Sequence, residues 1–166
     1  METVFIDSPL GITKIVGDEN GISELSVLSE GDSRAKLEQA KQITTEIPAQ
    51  LQECVSQLRE YFEGERKYFD FKLNPHGTDF QQKVWQELLK IPFGKTMSYL
   101  DLSKKLGDVK AIRAVASANG RNPLWIVVPC HRVIGTDGSL TGYAGGLWRK
   151  KWLLEHESPS QQQSLF

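Results

Sequence analysis

Cys130 and His131 adjoin in the run Pro129-Cys130-His131-Arg132-Val133, which sets a thiol next to an imidazole. A thiol attacks as its thiolate, so it needs a base or a cation close by. The preceding residues, Leu124-Trp125-Ile126-Val127-Val128, are continuously apolar and rich in β-branched side chains, which predicts a buried strand or extended segment. Such a segment would deliver the thiol to a turn in a shielded pocket. In an extended stretch successive side chains point opposite ways, so the imidazole would reach the thiol through a bridging water. A buried inert cysteine beside a surface histidine is the competing reading of the pair taken alone.

A second constellation precedes it. At about 100° per residue, Lys110, Arg113, Ala114 and Ser117 share one face of a helix predicted over residues 110–119, opposite Ile112, Val115 and Asn119. The outer face is therefore small side chains plus two cations. Small residues let a helix backbone approach a surface closely, with Arg113 projecting from the middle. A shorter helix is predicted over residues 99–106, ending at Gly107-Asp108. Two short helices about a glycine-containing turn are the pattern of a helix-turn-helix, a pattern shared with hairpins that bind nothing.

These groups need a scaffold, and the sequence divides near residue 75 into two regions that could supply one. Residues 3–7, 12–16 and 22–28 are β-prone, separated by Ser8-Pro9-Leu10-Gly11 and Gly17-Asp18-Glu19-Asn20-Gly21, which predicts antiparallel strands. Residues 30–46 are polar, suited to a short helix or loop. Ile47, Leu51, Val55, Leu58 and Phe62 form a helical stripe, with Cys54 beside it as a small core residue. Residues 68–73 could add a strand before Asn74-Pro75-His76-Gly77. Beyond that point, Thr78 with Gln81 is a capping box for a helix whose apolar face is Phe80, Val84, Trp85, Leu88 and Leu89. Trp125 and Trp148 read as core.

Composition excludes several classes. The 166 residues are 39% apolar and 25% charged, with no apolar run long enough for a membrane span and no basic-then-apolar leader at Met1. Two cysteines, Cys54 and Cys130, rule out a disulfide framework and a four-cysteine zinc site, and favour a reducing, cytoplasmic location, nuclear in a eukaryote. Residues 1–82 carry 8 Lys+Arg against 15 Asp+Glu, and residues 83–166 carry 12 against 6, so a net of −1 conceals halves of −7 and +6. A basic second half suits a polyanionic partner.

Asn122-Pro123, Pro129 to Val133, Gly142-Tyr143-Ala144-Gly145-Gly146 and Trp152 to Glu157 together closely resemble the O6-alkylguanine-DNA alkyltransferases. The resemblance also takes in Gly94 to Tyr99 and the segment around Arg113, and it covers roughly residues 79–157. It implies an α+β fold: a small antiparallel-sheet, ribonuclease H-like domain over residues 1–75, then a helical domain over residues 76–157 with the helix-turn-helix and the buried cysteine segment. Residues 158–166 are expected to be a mobile tail.

Roles follow from the resemblance position by position. Cys130 would accept the alkyl group, His131 would take its proton through water, and Glu157 would orient His131. Tyr99 would donate toward the departing guanine, and Asn122 would tie the third helix to the cysteine segment. Val133, Tyr143 and Ala144 would form the alkylguanine pocket, with Ala144 where the family often has serine. Arg113 would replace the extruded nucleotide, with Lys110, Ala114, Ser117 and Tyr99 on double-stranded DNA in the minor groove, without sequence preference. O4-alkylthymine is a second candidate substrate. The family implies a monomer that is spent after one lesion. No cofactor motif is present, and with His76, His131 and His156 the only histidines, no metal is expected.

Three other classes compete. A non-transferring, damage-sensing relative would lack the acceptor cysteine, which is present here. A regulator would use the helix-turn-helix alone, and a thiol hydrolase would need direct thiol–imidazole contact. The ending Gln163-Ser164-Leu165-Phe166 resembles short sliding-clamp-binding tails, a weak candidate contact.

Overall fold

A computed structural model describes residues 1–28 and 43–158 and divides the chain into two compact units, Met1–His76 and Gly77–Phe166. Of the short helix or loop expected over residues 30–46, residues 30–42 lie outside the described residues, as does the clamp-like ending, and residues 43–46 are irregular.

The first unit is an antiparallel meander of β1 (Glu2–Ser8), β2 (Gly11–Asp18) and β3 (Gly21–Val27), covered by α1 (Ala49–Phe62). Both turns lie where glycine and short polar side chains permit them. Ser8 Oγ accepts from Leu10 N, and Asp18 Oδ1 accepts from Asn20 N. Gly21, at φ +124°, could not carry a Cβ, because that atom would sit 2.9 Å from the Lys72 carbonyl. Val4, Ile6, Ile15 and Leu25 face Leu51, Cys54, Val55, Leu58 and Tyr61 of α1, all essentially without solvent exposure. Each such side chain contributes about 1.5–3 kcal/mol by burial.

Two expectations for this unit fail. The inward face of α1 is turned toward Gln57 and Tyr61, so Phe62, its last residue, is only half-buried. Gln57 can face inward because it is satisfied there, donating to Glu53 and Asp70 and accepting from Asp70 N. Residues 68–73 do not form a strand. They touch the sheet only around Ile22, whose N–H donates to Lys72 O and whose carbonyl accepts from Asn74 N. Phe69 is 5.5 Å from the Tyr61 ring and 5.9 Å from Phe71, so ring packing rather than a ladder fixes the segment.

The second unit is mostly helical. The capping box of Thr78 and Gln81 starts α2 (Asp79–Leu88), which buries Val84, Trp85 and Leu88; Phe80 and Leu89, expected on that face, are exposed. Trp85 Nε1 donates to Ala118 O at 2.9 Å, binding α2 to the end of the helix that closes at Gly120. The two-residue strand β4 (Met97–Ser98) runs into α3 (Tyr99–Lys105), which Ser98 caps by accepting from Asp101 N. A tight turn at Gly107-Asp108 leads through a 3₁₀ turn, Val109–Ala111, to α4 (Ile112–Gly120), completing the helix-turn-helix. Another 3₁₀ turn, Cys130–Arg132, precedes β5 (Val133–Ile134), which pairs parallel with β4, and α5 (Leu147–Glu157) closes the unit. Among the described residues no helix is long and apolar enough to cross a membrane.

The apolar segment before the cysteine is buried, but it is not a strand. Residues 124–128 form consecutive tight turns, with Val127 N donating to Trp125 O, Val128 N to Leu124 O and Ile126 at φ +72°. The side chain of Asn122 makes this possible. It accepts from Leu124 N and donates to the carbonyls of Leu124 and Val128, supplying what a neighbouring strand would otherwise provide. Of the two tryptophans expected in the core, Trp148 is 54% exposed and Trp125 is half-buried.

Candidate active site

The turn that replaces the expected extended segment changes how the thiol is held. Cys130 and His131 sit in one 3₁₀ turn, and both are buried, at 4% and 0% exposure. The imidazole is therefore a core group rather than a surface one. His131 Nε2 lies 2.8 Å from Glu157 Oε2, at the end of α5. Its other nitrogen, Nδ1, is buried without a partner. An ionised carboxylate only accepts, so Nε2 carries the ring proton and Nδ1 is left as a bare acceptor.

Two cations behind this pair escaped the sequence reading. Arg132 donates from Nε to Glu157 Oε1 at 2.7 Å and from one terminal nitrogen to Oε2 at 3.0 Å, while the other terminal nitrogen donates to Ile91 O at 2.7 Å. This two-pronged grip fixes the carboxylate. Lys150, on α5, is fully buried and donates to the carbonyls of Val133 and Thr141, at 2.6 Å each. It thereby clips the strand after the cysteine to the loop over residues 135–146. The signal available in the sequence was spacing alone: Lys150, Leu153 and Glu157 fall on one helical face, and all three are buried.

The electrostatics favour a resting thiol. Burial pushes Cys130 up to about 11, against the opposing pull of the Asn122 amide, the Lys150 charge and nearby backbone N–H groups. Burial also lowers His131 below its ordinary value, so it stands neutral and able to accept. Burial opposes ionisation of Glu157, but hydrogen bonds and charge from His131 and Arg132 overcome it and hold the carboxyl at about 2. With His131 neutral, the permanent charge is Arg132. A protonated thiol, a neutral imidazole and a fixed carboxylate are the components of a general-base relay.

A cavity of about 550 Å³ opens in this unit; Cys130, His131 and Glu157 do not line it, but Tyr99 and Tyr143, both close to Cys130, do. Tyr99 from α3 and Arg113 from α4 stand on one side, with Thr141, Tyr143 and Ala144 from the loop on the other. Tyr143 packs 5.7 Å from the Trp125 ring, and a Cβ on Gly145 would meet both rings at 2.9 Å. Cys130 is close enough that its charge would raise both the Tyr99 and Tyr143 phenols, although burial is the larger influence on each.

Not every expected residue comes to the cavity. Val133 is fully buried, does not line the cavity, and accepts from Lys150 Nζ with its carbonyl. Asn122 joins α4 to the cysteine segment, its N–H donating to Asn119 O at 3.4 Å while its side chain braces the turns before Cys130; Asn119 itself also reaches the cysteine, its Nδ2 3.5 Å from Cys130 O. Lys110, Arg113, Ala114 and Ser117 form one exposed face of the α4 region, with Arg113 at the cavity rim. Among the described residues no three His, Cys, Asp or Glu side chains gather as a metal site.

The ribonuclease-like domain of 6-O-methylguanine DNA methyltransferases matches residues 2–75, and the DNA-binding domain of the same proteins matches residues 79–159. A methylated-DNA–protein-cysteine methyltransferase of Methanosarcina barkeri is 44% identical, over 92% of this chain and 94% of its own. The constitutive enzyme of that name from Bacillus subtilis is 48% identical over 84% of each chain. The crystal structure of Mycobacterium tuberculosis OGT in complex with DNA superposes with a TM-score of 0.82 at 42% identity, covering 96% of both chains.

Proposed function

The chain belongs to the 6-O-methylguanine DNA methyltransferase family, DNA-binding methyltransferases of DNA repair, and from that premise we propose that it moves an alkyl group from O6 of guanine in duplex DNA irreversibly onto its own Cys130. One observation carries this reading. The thiol is held in the same 3₁₀ turn as a neutral imidazole backed by Glu157 and Arg132, beside a cavity that α4 of the helix-turn-helix helps to wall.

An alkyl carbon on O6 cannot reach Cys130 while the base is stacked, so the nucleotide must be extruded into the cavity, which costs a few kcal/mol. The exposed face of Lys110, Arg113, Ala114 and Ser117 suits close approach to the minor groove, with phosphate contacts that do not read sequence. In the transfer step the thiol proton passes through a water to the bare Nδ1 of His131, and Glu157 stabilises the resulting imidazolium. The Sγ–C bond forms as the C–O6 bond breaks. Its electron pair stays on the departing guanine, which Tyr99 stabilises by donating its hydroxyl proton in a hydrogen bond or outright. The product is a neutral thioether, and no thiol of this unit remains to reverse it, so each molecule acts once. O4-alkylthymine offers a similar alkyl ether and is a second candidate for the cavity.

The test is intact-protein mass after mixing with excess duplex containing O6-methylguanine. The expected result is a gain of one CH₂, mapped to Cys130, that stops at one equivalent. Tight lesion binding without a mass change would instead make the chain a damage sensor, and sequence-selective binding to undamaged DNA would make it a regulator.

Arg113 has a separate expected outcome. Its side chain is exposed at the cavity rim and supports no core contact, so Arg113→Ala should melt within about 1 °C of wild type. If the guanidinium fills the space left by the extruded base, losing it removes part of the compensation for flipping, and transfer from duplex DNA should slow about tenfold. An unchanged duplex rate removes Arg113 from this role.

A further inference from the structure

Asn119 lies on the inner face of α4 at 4% exposure, among Val115 and Ala118, where an apolar side chain would be ordinary. Its Nδ2 is 3.2 Å from the Tyr99 hydroxyl and 3.5 Å from the carbonyl oxygen of Cys130. That carbonyl can only accept, and the amide presents its nitrogen to it. The Tyr99 oxygen meets the same NH₂ group and therefore accepts as well. A phenol has one proton. With an N–H directed at its oxygen, that proton turns away from Asn119, toward the cavity side where the Thr141 side chain also hydrogen-bonds the phenol and where a bound base would compete for it.

From this geometry, and resting on the alkyl-transfer reading above, we propose that Asn119 is a positioning residue that fixes Tyr99 as the proton donor to the departing guanine. Two further observations support it. Asn119 Oδ1 is buried with no partner, which carries a desolvation penalty that an apolar residue of the same shape avoids. The position therefore retains an amide whose side-chain hydrogen bonds, among the described residues, go to the two ends of the reaction, the donor phenol and the backbone of the acceptor cysteine. In addition, a hydroxyl that accepts an N–H becomes a stronger donor, so the contact both aims and strengthens Tyr99. Burial raises the Tyr99 phenol, and the Asn119 and Thr141 side chains pull it back.

A double-mutant cycle on single-turnover transfer, at saturating O6-methylguanine duplex, separates this role from simple packing. Asn119→Leu should slow transfer about tenfold, a fraction of the factor a positioned proton donor supplies, with the DNA dissociation constant unchanged. In a Tyr99→Phe background the same substitution should change the rate by about twofold or less, because the group it aims is gone. Equal slowing in both backgrounds would mean that the amide serves only the cysteine turn, and no slowing in either would mean that it serves neither; both overturn the proposal. Thermal melting checks that each variant is folded, and Asn119→Ala run through the same cycle replaces Asn119→Leu if leucine is not accommodated. Failure of the wild type to take up an alkyl group would instead strike the transfer reading itself.

Discussion

Cys130→Ser is expected to abolish alkyl uptake, lowering the rate by more than about a thousandfold, while duplex binding stays within about twofold of wild type. Serine preserves the size and the hydrogen-bonding capacity of the side chain at a site that is 4% exposed, so the 3₁₀ turn should survive. The chemistry does not. Burial already pushes the thiol up to about 11, and His131, which burial keeps neutral, is the base that must take its proton. A hydroxyl is a far weaker acid than a thiol, and its oxygen is a less polarisable nucleophile toward an alkyl carbon. The same base would then face a much larger proton-transfer barrier. On the proposed reading binding rests on the exposed face of α4 and should persist, leaving a protein that holds the lesion without repairing it. The checks are intact mass for transfer and fluorescence anisotropy of a labelled O6-methylguanine duplex for binding. Uptake at the wild-type rate would place the acceptor at another atom.

The retention of binding expected in that variant would reflect how the site is divided, and the same division governs what the sequence could disclose. Features set by local chemistry were legible. The Thr78–Gln81 capping box starts α2, the glycine turns separate β1 to β3, and the faces of α4 follow from helical spacing. The resemblance likewise brought Cys130, His131 and Glu157 together, and the structure shows the latter two in contact. Features set by what a side chain does for distant backbone were not legible. Residues 124–128 read as a strand because an apolar run looks the same in a buried strand and in buried turns. Only the Asn122 amide, bonded to Leu124 and Val128, tells the two apart. Arg132 and Lys150 drew no reading of their own, because long charged side chains are usually exposed. Here a carboxylate and a set of carbonyls repay their desolvation. Asn119 was placed on the correct face, yet nothing local to α4 points to Tyr99 or to the carbonyl of Cys130 as its partners.

Glu157→Gln should damage both activity and stability, and the two effects can be separated by pH. Glu157 balances Arg132 and receives the ring proton of His131 inside the core. Glutamine keeps the shape but not the charge, so the buried guanidinium loses its counter-ion, a loss worth about 3–5 kcal/mol for a buried pair. A domain stable by about 5–15 kcal/mol should remain folded at neutral pH with a lower denaturant midpoint. Transfer should fall by at least about a hundredfold, since the imidazolium formed at His131 is no longer stabilised. The pH dependence has a definite sign. Folding holds the Glu157 carboxyl at about 2 against an ordinary 4.5, which contributes about 3 kcal/mol of stability at pH values above 4.5. That contribution is lost as pH falls from 4.5 toward 2, where the unfolded chain binds a proton that the folded chain excludes. His131 acts in the same direction at higher pH. Its folded value lies below the ordinary 6.5, so acidification below 6.5 also favours the unfolded chain. Wild type should therefore lose stability progressively below pH 6.5 and more steeply below 4.5. Glu157→Gln should start lower, keep the His131-linked slope and lack the Glu157 component of the steep one. Urea midpoints at several pH values between 8 and 3 read this directly. Parallel curves for the two proteins below pH 4.5 would show that the Arg132–Glu157–His131 chain does not hold the carboxylate in the folded state.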